Sequence, residues 1–176
     1  MNAPYRLLSP TDRVRFWTAL AQRAVPAVVT LLLTVLMTAP LFASFPLLPH
    51  LALLGVFVWA TFQPALMPPW LAFLLGLAAD LLLGEPLGVN GTLLPLVVIF
   101  LRMFEASYGR HRYGFDWALA AAVIFVFEAA TWQLLAFTGT DGPFLPLLIQ
   151  AATTILAYPA IVLLCARIQR GLNQAL

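Results

Sequence analysis

Long apolar runs, broken by short clusters of Pro, Gly and polar residues, set the pattern of this chain. Six such runs predict six helices, over about 24–42, 47–63, 69–83, 89–104, 115–137 and 143–166. A helix needs roughly 17–25 predominantly apolar residues to cross a bilayer, and fewer where the bilayer is locally thin or the span is broken. The connections read "APLFASFPLLP", "QPALMPPW", "GEPLGVNG", "SYGRHRYG" and "TGTDGP", and their helix-breaking residues mark where each helix stops. Pro69 suits the first turn of the third helix. That helix is the short one, ending in "ADLLLGEPLGVNG", residues 79–91, where two carboxylates, three glycines and a proline interrupt an apolar region.

Ahead of the first run, "SPTDRVRFWTALAQRA" predicts a short surface helix. Ser9 is placed to cap it, Pro10 fits its first turn, and Asp12 favours its positive end. Val14, Trp17, Ala21 and Ala24 recur at helical spacing, with Arg13, Arg15 and Arg23 available to anionic head groups. The chain thus divides into a basic segment 1–23, a six-span region 24–168 and a short tail 169–176. The first run is expected to be retained as a span rather than cleaved as a signal peptide, because it is long and follows an Arg-rich flank.

Composition fixes the solvent. Of 176 residues, 62% are hydrophobic and 9% charged, against about 25% charged in an ordinary soluble domain. So few charges cannot cover a water-exposed surface, which points to an all-α integral membrane protein. The nine basic residues are all Arg. With six spans and both termini cytoplasmic, Arg6, Arg13, Arg15, Arg23, Arg102, Arg110, Arg112, Arg167 and Arg170 all fall on the inner side, as the positive-inside rule asks. Five spans would put the last two outside. Arg110, His111 and Arg112 read as a topology determinant facing lipid head groups, not as a nucleic-acid site. The single cysteine, Cys165, allows no internal disulfide and reads as packing.

Ionisable residues within spans are costly and so are functional candidates. Asp80 lies near the outer end of the third span and Glu128 within the fifth. His50 opens the second, and Gln150, Thr153 and Thr154 lie in the sixth at similar depth. Asp80 has three readings: an acceptor for the broken backbone that follows it, a partner of His50, or a contact for a ligand or another protein. Glu128 is either uncharged, hydrogen-bonded within the bundle, or facing a wet cavity. Arg102, at the opposite face, is expected to snorkel to water. There is no P-loop, no zinc helix and no nucleophile elbow. His50 and His111 fall on opposite faces, so no metal site is expected, and no cofactor.

The stretch over residues 67–102, about a fifth of the chain, resembles the bacterial rod shape-determining membrane protein family MreD. In that family an apolar helix ends in an Asp-Leu-Leu-x-Gly-x-Pro-Leu-Gly-like turn, matched here by Asp80, Leu81, Leu82, Gly84, Pro86, Leu87 and Gly88. The resemblance implies a non-enzymatic scaffold of the bacterial inner membrane that serves the cell-wall elongation machinery. It implies MreC as principal partner, through its transmembrane helix and periplasmic region. The MreB filament system, RodA and its penicillin-binding transpeptidase would act alongside. It also implies a fold similar to the six-helix substrate-binding (S) subunits of energy-coupling-factor (ECF) vitamin transporters. That kinship supplies a second reading, a small-molecule receptor anchored by Glu128, Gln150 and Asp80. For the scaffold, Gly76, Ala78, Ala79 and Leu83 form the candidate surface for a partner helix, since small side chains permit close approach in lipid.

Overall fold

The computed structural model describes residues 10–38, 48–108, 113–137, 139 and 144–174. Within them the chain is all-helical: α1 (Pro10–Met37), α2 (Leu51–Phe62), α3 (Pro69–Leu83), α4 (Val89–Tyr108), α5 (Tyr113–Phe137) and α6 (Phe144–Gln174). The proposed cap Ser9, Arg6, the basic loop Arg110, His111 and Arg112, and most of the connections at 39–47 and 138–143 lie outside the described residues. The expected surface helix and first span form one helix. No Gly or Pro falls between Pro10 and Pro26, so nothing stops the helix at residue 23.

Among the described residues, two helices are long and apolar enough to cross a membrane, over Asp116–Phe137 and Leu145–Gly171. Their outer faces carry Phe125, Val126, Leu156 and Leu163, all exposed. Large apolar patches of this kind suit lipid and not water. The second helix departs most from expectation. It has twelve residues, Leu51–Phe62, about 18 Å of rise against a hydrocarbon core of roughly 30 Å. Every residue from Leu51 to Ala60 is buried. That burial makes α2 a core element: it packs against α1, α3, α4 and α6. Phe57 meets Tyr158 of α6 edge-on, with ring centroids 5.8 Å apart. Gly55 lets α1 in close, since a Cβ there would stand 2.9 Å from Thr30 Oγ1.

α3 and α4 form a tight antiparallel pair. Pro68, in extended conformation, and Pro69 start α3. At that end of the pair Arg102 of α4 donates from Nη2 to the carbonyl of Pro64, at 2.7 Å, and to that of Met67, at 3.4 Å. Arg102 is exposed, and it also ties the α2–α3 connection to α4.

A tryptophan repairs a broken helix bond in α6. Pro159 has no N–H, so the carbonyl of Ile155, four residues earlier, loses its helical donor. Trp117 of α5 supplies one, with Nε1 3.3 Å from Ile155 O. Trp117→Phe is expected to lower stability by about 1 kcal/mol, read by thermal unfolding in detergent. In a Pro159→Ala background the helix provides its own N–H, so the loss should vanish. An equal loss in both backgrounds would show that the indole acts by packing alone.

Candidate functional site

One carboxylate organises the turn between α3 and α4. Asp80 is fully buried, at 0% exposure, and its backbone and side chain do opposite jobs. Its carbonyl accepts from the N–H of Gly84 and, at 3.0 Å, from that of Glu85. The second bond is the six-to-one closure of a Schellman motif, which needs a left-handed residue after the helix. Gly84 provides it, at φ 71° and ψ 23°. The side chain of Asp80 then starts the next helix. Oδ2 accepts from Gly88 N at 2.8 Å and Gly91 N at 3.2 Å, while Oδ1 accepts from Asn90 N at 2.8 Å. Gly88 stands at the N-cap of α4, since its carbonyl takes the first helical bond, from Thr92 N. At φ 102° the position favours glycine, which has no side chain to cap with. Asp80 supplies the missing acceptor from another helix, and its negative charge suits the positive end of α4.

Close backbone approach makes this possible. A Cβ on Gly76 would collide with Asn90 O and stand 2.6 Å from Asn90 C and 2.8 Å from Gly91 Cα. Gly76 is therefore buried against α4, and Ala79 is buried as well. Of the candidate partner surface, Ala78 and Leu83 remain half-buried, while Leu81 and Leu87 of the motif are 75% and 73% exposed. The motif thus splits in two. Asp80, Gly84 and Gly88 shape the turn, whereas Leu81 and Leu87 leave the fold and face outward.

Glu85 sits half-buried on the turn and accepts from Asn90 Nδ2 at 2.7 Å. Burial raises its pKa above the ordinary 4.5, the Asp80 charge adds to this, and the Asn90 hydrogen bond opposes it. A raised folded-state pKa means the folded form prefers the protonated acid. Stability is then lost as pH climbs from the ordinary value through the raised one. Glu85→Gln keeps an acceptor for Asn90 without the charge. The variant should melt above the parent at pH 7, with the gap closing as pH falls to 4.5 and below; a gap independent of pH would remove the charge from the explanation.

Behind the turn, polar groups from four helices meet in the interior. His50 is buried ahead of α2. Its backbone N donates to Thr154 Oγ1 of α6 at 2.9 Å, and its Nδ1 accepts from Leu53 N at 3.2 Å, capping α2. Its ring lies edge-on to Phe127 of α5, with centroids 5.1 Å apart, and its side chain faces Asn90. Glu128 is buried in α5 within electrostatic range of Glu85. Gln150 is half-buried, and its carbonyl accepts from the hydroxyls of Thr153 and Thr154. Of the sequence candidates, His50 and Thr154 are in direct contact. Asp80 does not hydrogen-bond His50, but its charge acts on the imidazole through space, and Asp80 holds the backbone of Asn90. Asn90 is the residue sequence reasoning overlooked, although a lone Asn among apolar residues beside glycines was a visible signal. Among the described residues no group of His, Cys, Asp and Glu is arranged to hold a metal ion.

The arrangement defines a helical bundle with apolar outer faces in which the turn acid Asp80 serves as a hydrogen-bond acceptor for backbone, the class of a lipid-embedded structural protein. Its family follows from comparison: the model of the rod shape-determining protein MreD matches residues 18–168, and the chain belongs to that family. No curated protein and no solved structure gives a significant match.

Proposed function

We propose that this protein is a non-enzymatic scaffold of the bacterial inner membrane, with six spans and both termini in the cytoplasm. It binds MreC and helps organise peptidoglycan synthesis by the elongation machinery, alongside the MreB filament system, RodA and its penicillin-binding transpeptidase. The observation that carries this reading is the family match across residues 18–168, which ties the chain to rod shape. The turn supports it: Asp80 is fully engaged by three backbone N–H groups and so has no chemistry to spare. The one-sided distribution of arginines supports the topology.

The partner surface follows from what α3 leaves uncovered. Trp70, Leu74 and Leu81 are exposed along one stripe of the helix, Ala78 flanks it, and Leu87 continues it on the turn, whereas Leu83 lies on the opposite face and packs against the core. A partner transmembrane helix would pack along this stripe, using Ala78 for close approach. Cysteines placed at Trp70, Leu74, Ala78 and Leu81 should crosslink to the MreC transmembrane helix. Adducts absent at every position, with the complex otherwise intact, would remove this face. Depletion should abolish rod shape; normal morphology under verified depletion would overturn the scaffold itself.

The buried polar groups behind the turn favour the second reading, a small-molecule receptor similar to ECF S subunits. Copurification separates the two. The scaffold brings wall-synthesis proteins, and the receptor an ATPase module or a bound vitamin.

A further inference from the structure

The bundle is taller on one side than on the other. α5 keeps an apolar length of 22 residues, Asp116–Phe137, which rises about 32 Å and matches a hydrocarbon core of roughly 30 Å. α3 has 15 residues, Pro69–Leu83, and rises only about 21 Å. α4, packed against it, repeats the short measure. Its backbone enters the helix at Gly88 and reaches Arg102 after about 21 Å. Polar groups mark both levels. At one end the exposed Arg102 is level with the start of α3, because it donates to the carbonyls of Pro64 and Met67. Trp70, next to that start and 64% exposed, is the residue type that favours the membrane–water boundary. At the other end Glu85 and the irregular backbone of 84–88 close the apolar band. Such backbone belongs at water or inside protein. Between these levels the pair exposes Phe73, Leu74, Leu96 and Phe100.

We propose that the α3–α4 face thins the bilayer beside it by about 9 Å, so that the protein carries a step in membrane thickness. This rests on the six-span reading above and holds whether or not a partner helix later covers the face. A helix longer than the bilayer tilts, but a shorter one is accommodated by thinning, by polar side chains reaching outward, or by association. Reaching is closed here. The Arg102 guanidinium is tied to the carbonyls of Pro64 and Met67, and Glu85 is held by Asn90 Nδ2 at 2.7 Å. Nor can the two helices slide apart to lengthen the pair. Asp80 binds α3 to the start of α4 through three N–H groups, and Gly76 brings the two backbones into contact. The helix behind them gives no extra height, because α2 has only 12 residues. Lipid with short or disordered chains fits this face. Covering it with another apolar helix removes the misfit, so the same step favours assembly.

Nitroxide depth measurements on the full-length protein in phosphatidylcholine vesicles test this. Cys165 is buried, and Cys165→Ala leaves the introduced cysteines as the labelling sites. Labels go on Trp70→Cys and Leu87→Cys at the two ends of the short face, and on Leu145→Cys and Leu163→Cys along α6. All four positions are exposed, so the fold tolerates the change. Within each pair, the sum of the two depths does not depend on how high the protein sits in the bilayer. In dioleoyl lipid the Trp70–Leu87 sum should be near zero, and it should stay there in the longer dierucoyl lipid. A sum of about 9 Å in dioleoyl lipid, rising further in dierucoyl lipid, would overturn the proposal. The Leu145–Leu163 sum should grow with chain length. If it also stays fixed, the bilayer adapts around the whole protein and the local step is overturned. An impermeant maleimide separates this proposal from the topology beneath it. Leu87→Cys should react in intact spheroplasts, and Ala65→Cys, exposed on the α2–α3 connection, only after lysis. Reaction of both from one side would overturn the six-span reading itself. Reaction from opposite sides with a 9 Å depth sum would overturn the step alone.

Discussion

Asp80→Ala is expected to be the most damaging single substitution at the turn. It strips the acceptor from the N–H groups of Gly88, Asn90 and Gly91 together. A lost N-cap on a surface helix costs about 1 kcal/mol. Here the donors are enclosed, and each buried donor left unpaired costs about 1–3 kcal/mol. Water can reach Gly88, which is less buried than the other two, so the expected loss is about 3–5 kcal/mol. Asp80→Asn keeps one oxygen but turns an NH2 toward at least one backbone N–H, so it should recover only part of the loss. The measurement is thermal unfolding in detergent together with the amount of protein retained in the membrane. An Ala variant that melts with the parent would mean that α4 starts without help from α3.

Gly76→Ala should come next, through sterics alone. The new methyl would overlap the backbone of Asn90 and Gly91, and backbone cannot turn aside as a side-chain tip can. α3 and α4 must separate, which also stretches the Asp80 bonds one turn away. Overpacking costs about 1–3 kcal/mol in a well-packed core, and the coupled strain on the cap places this change at the upper end. Gly84→Ala is the control. A Cβ there meets nothing within 4 Å, and the only cost is the left-handed conformation, about 1 kcal/mol. If the two variants lose equal stability, conformational preference and not helix approach governs the α3–α4 pair.

Both arguments show how unevenly the site was legible in the sequence. That α3 ends at the glycine turn was readable, because Gly84, Pro86 and Gly88 interrupt an apolar run. That Asp80 could serve the broken backbone was readable too, but only as one of three roles. Which N–H groups it meets depends on how α4 folds back on α3, a tertiary event. The same event recast the small residues. Gly76 and Ala79 looked free for a partner, yet Gly76 permits the approach of α4 and Ala79 is fully buried. Asn90 escaped notice because its importance lies in facing His50 and Glu85, which no sequence spacing expresses. Arg102 gave half of its role away: its exposure follows from charge, whereas its bond to Pro64 depends on where the α2–α3 connection lands.

Composition and hydrophobic pattern by themselves determined a helical, lipid-suited chain, the approximate ends of α3 and α5 and the family turn. These properties are local, since backbone in lipid must satisfy its own hydrogen bonds and a proline or glycine acts where it stands. The tertiary structure alone decided that α2 is a short buried core helix. It also decided that one aspartate ends one helix and starts the next, that Trp117 serves a carbonyl opened by Pro159, and that His50 ahead of α2 bonds Thr154 of α6. These features join residues far apart in the chain, and their energies arise only once packing has removed the competing solvent.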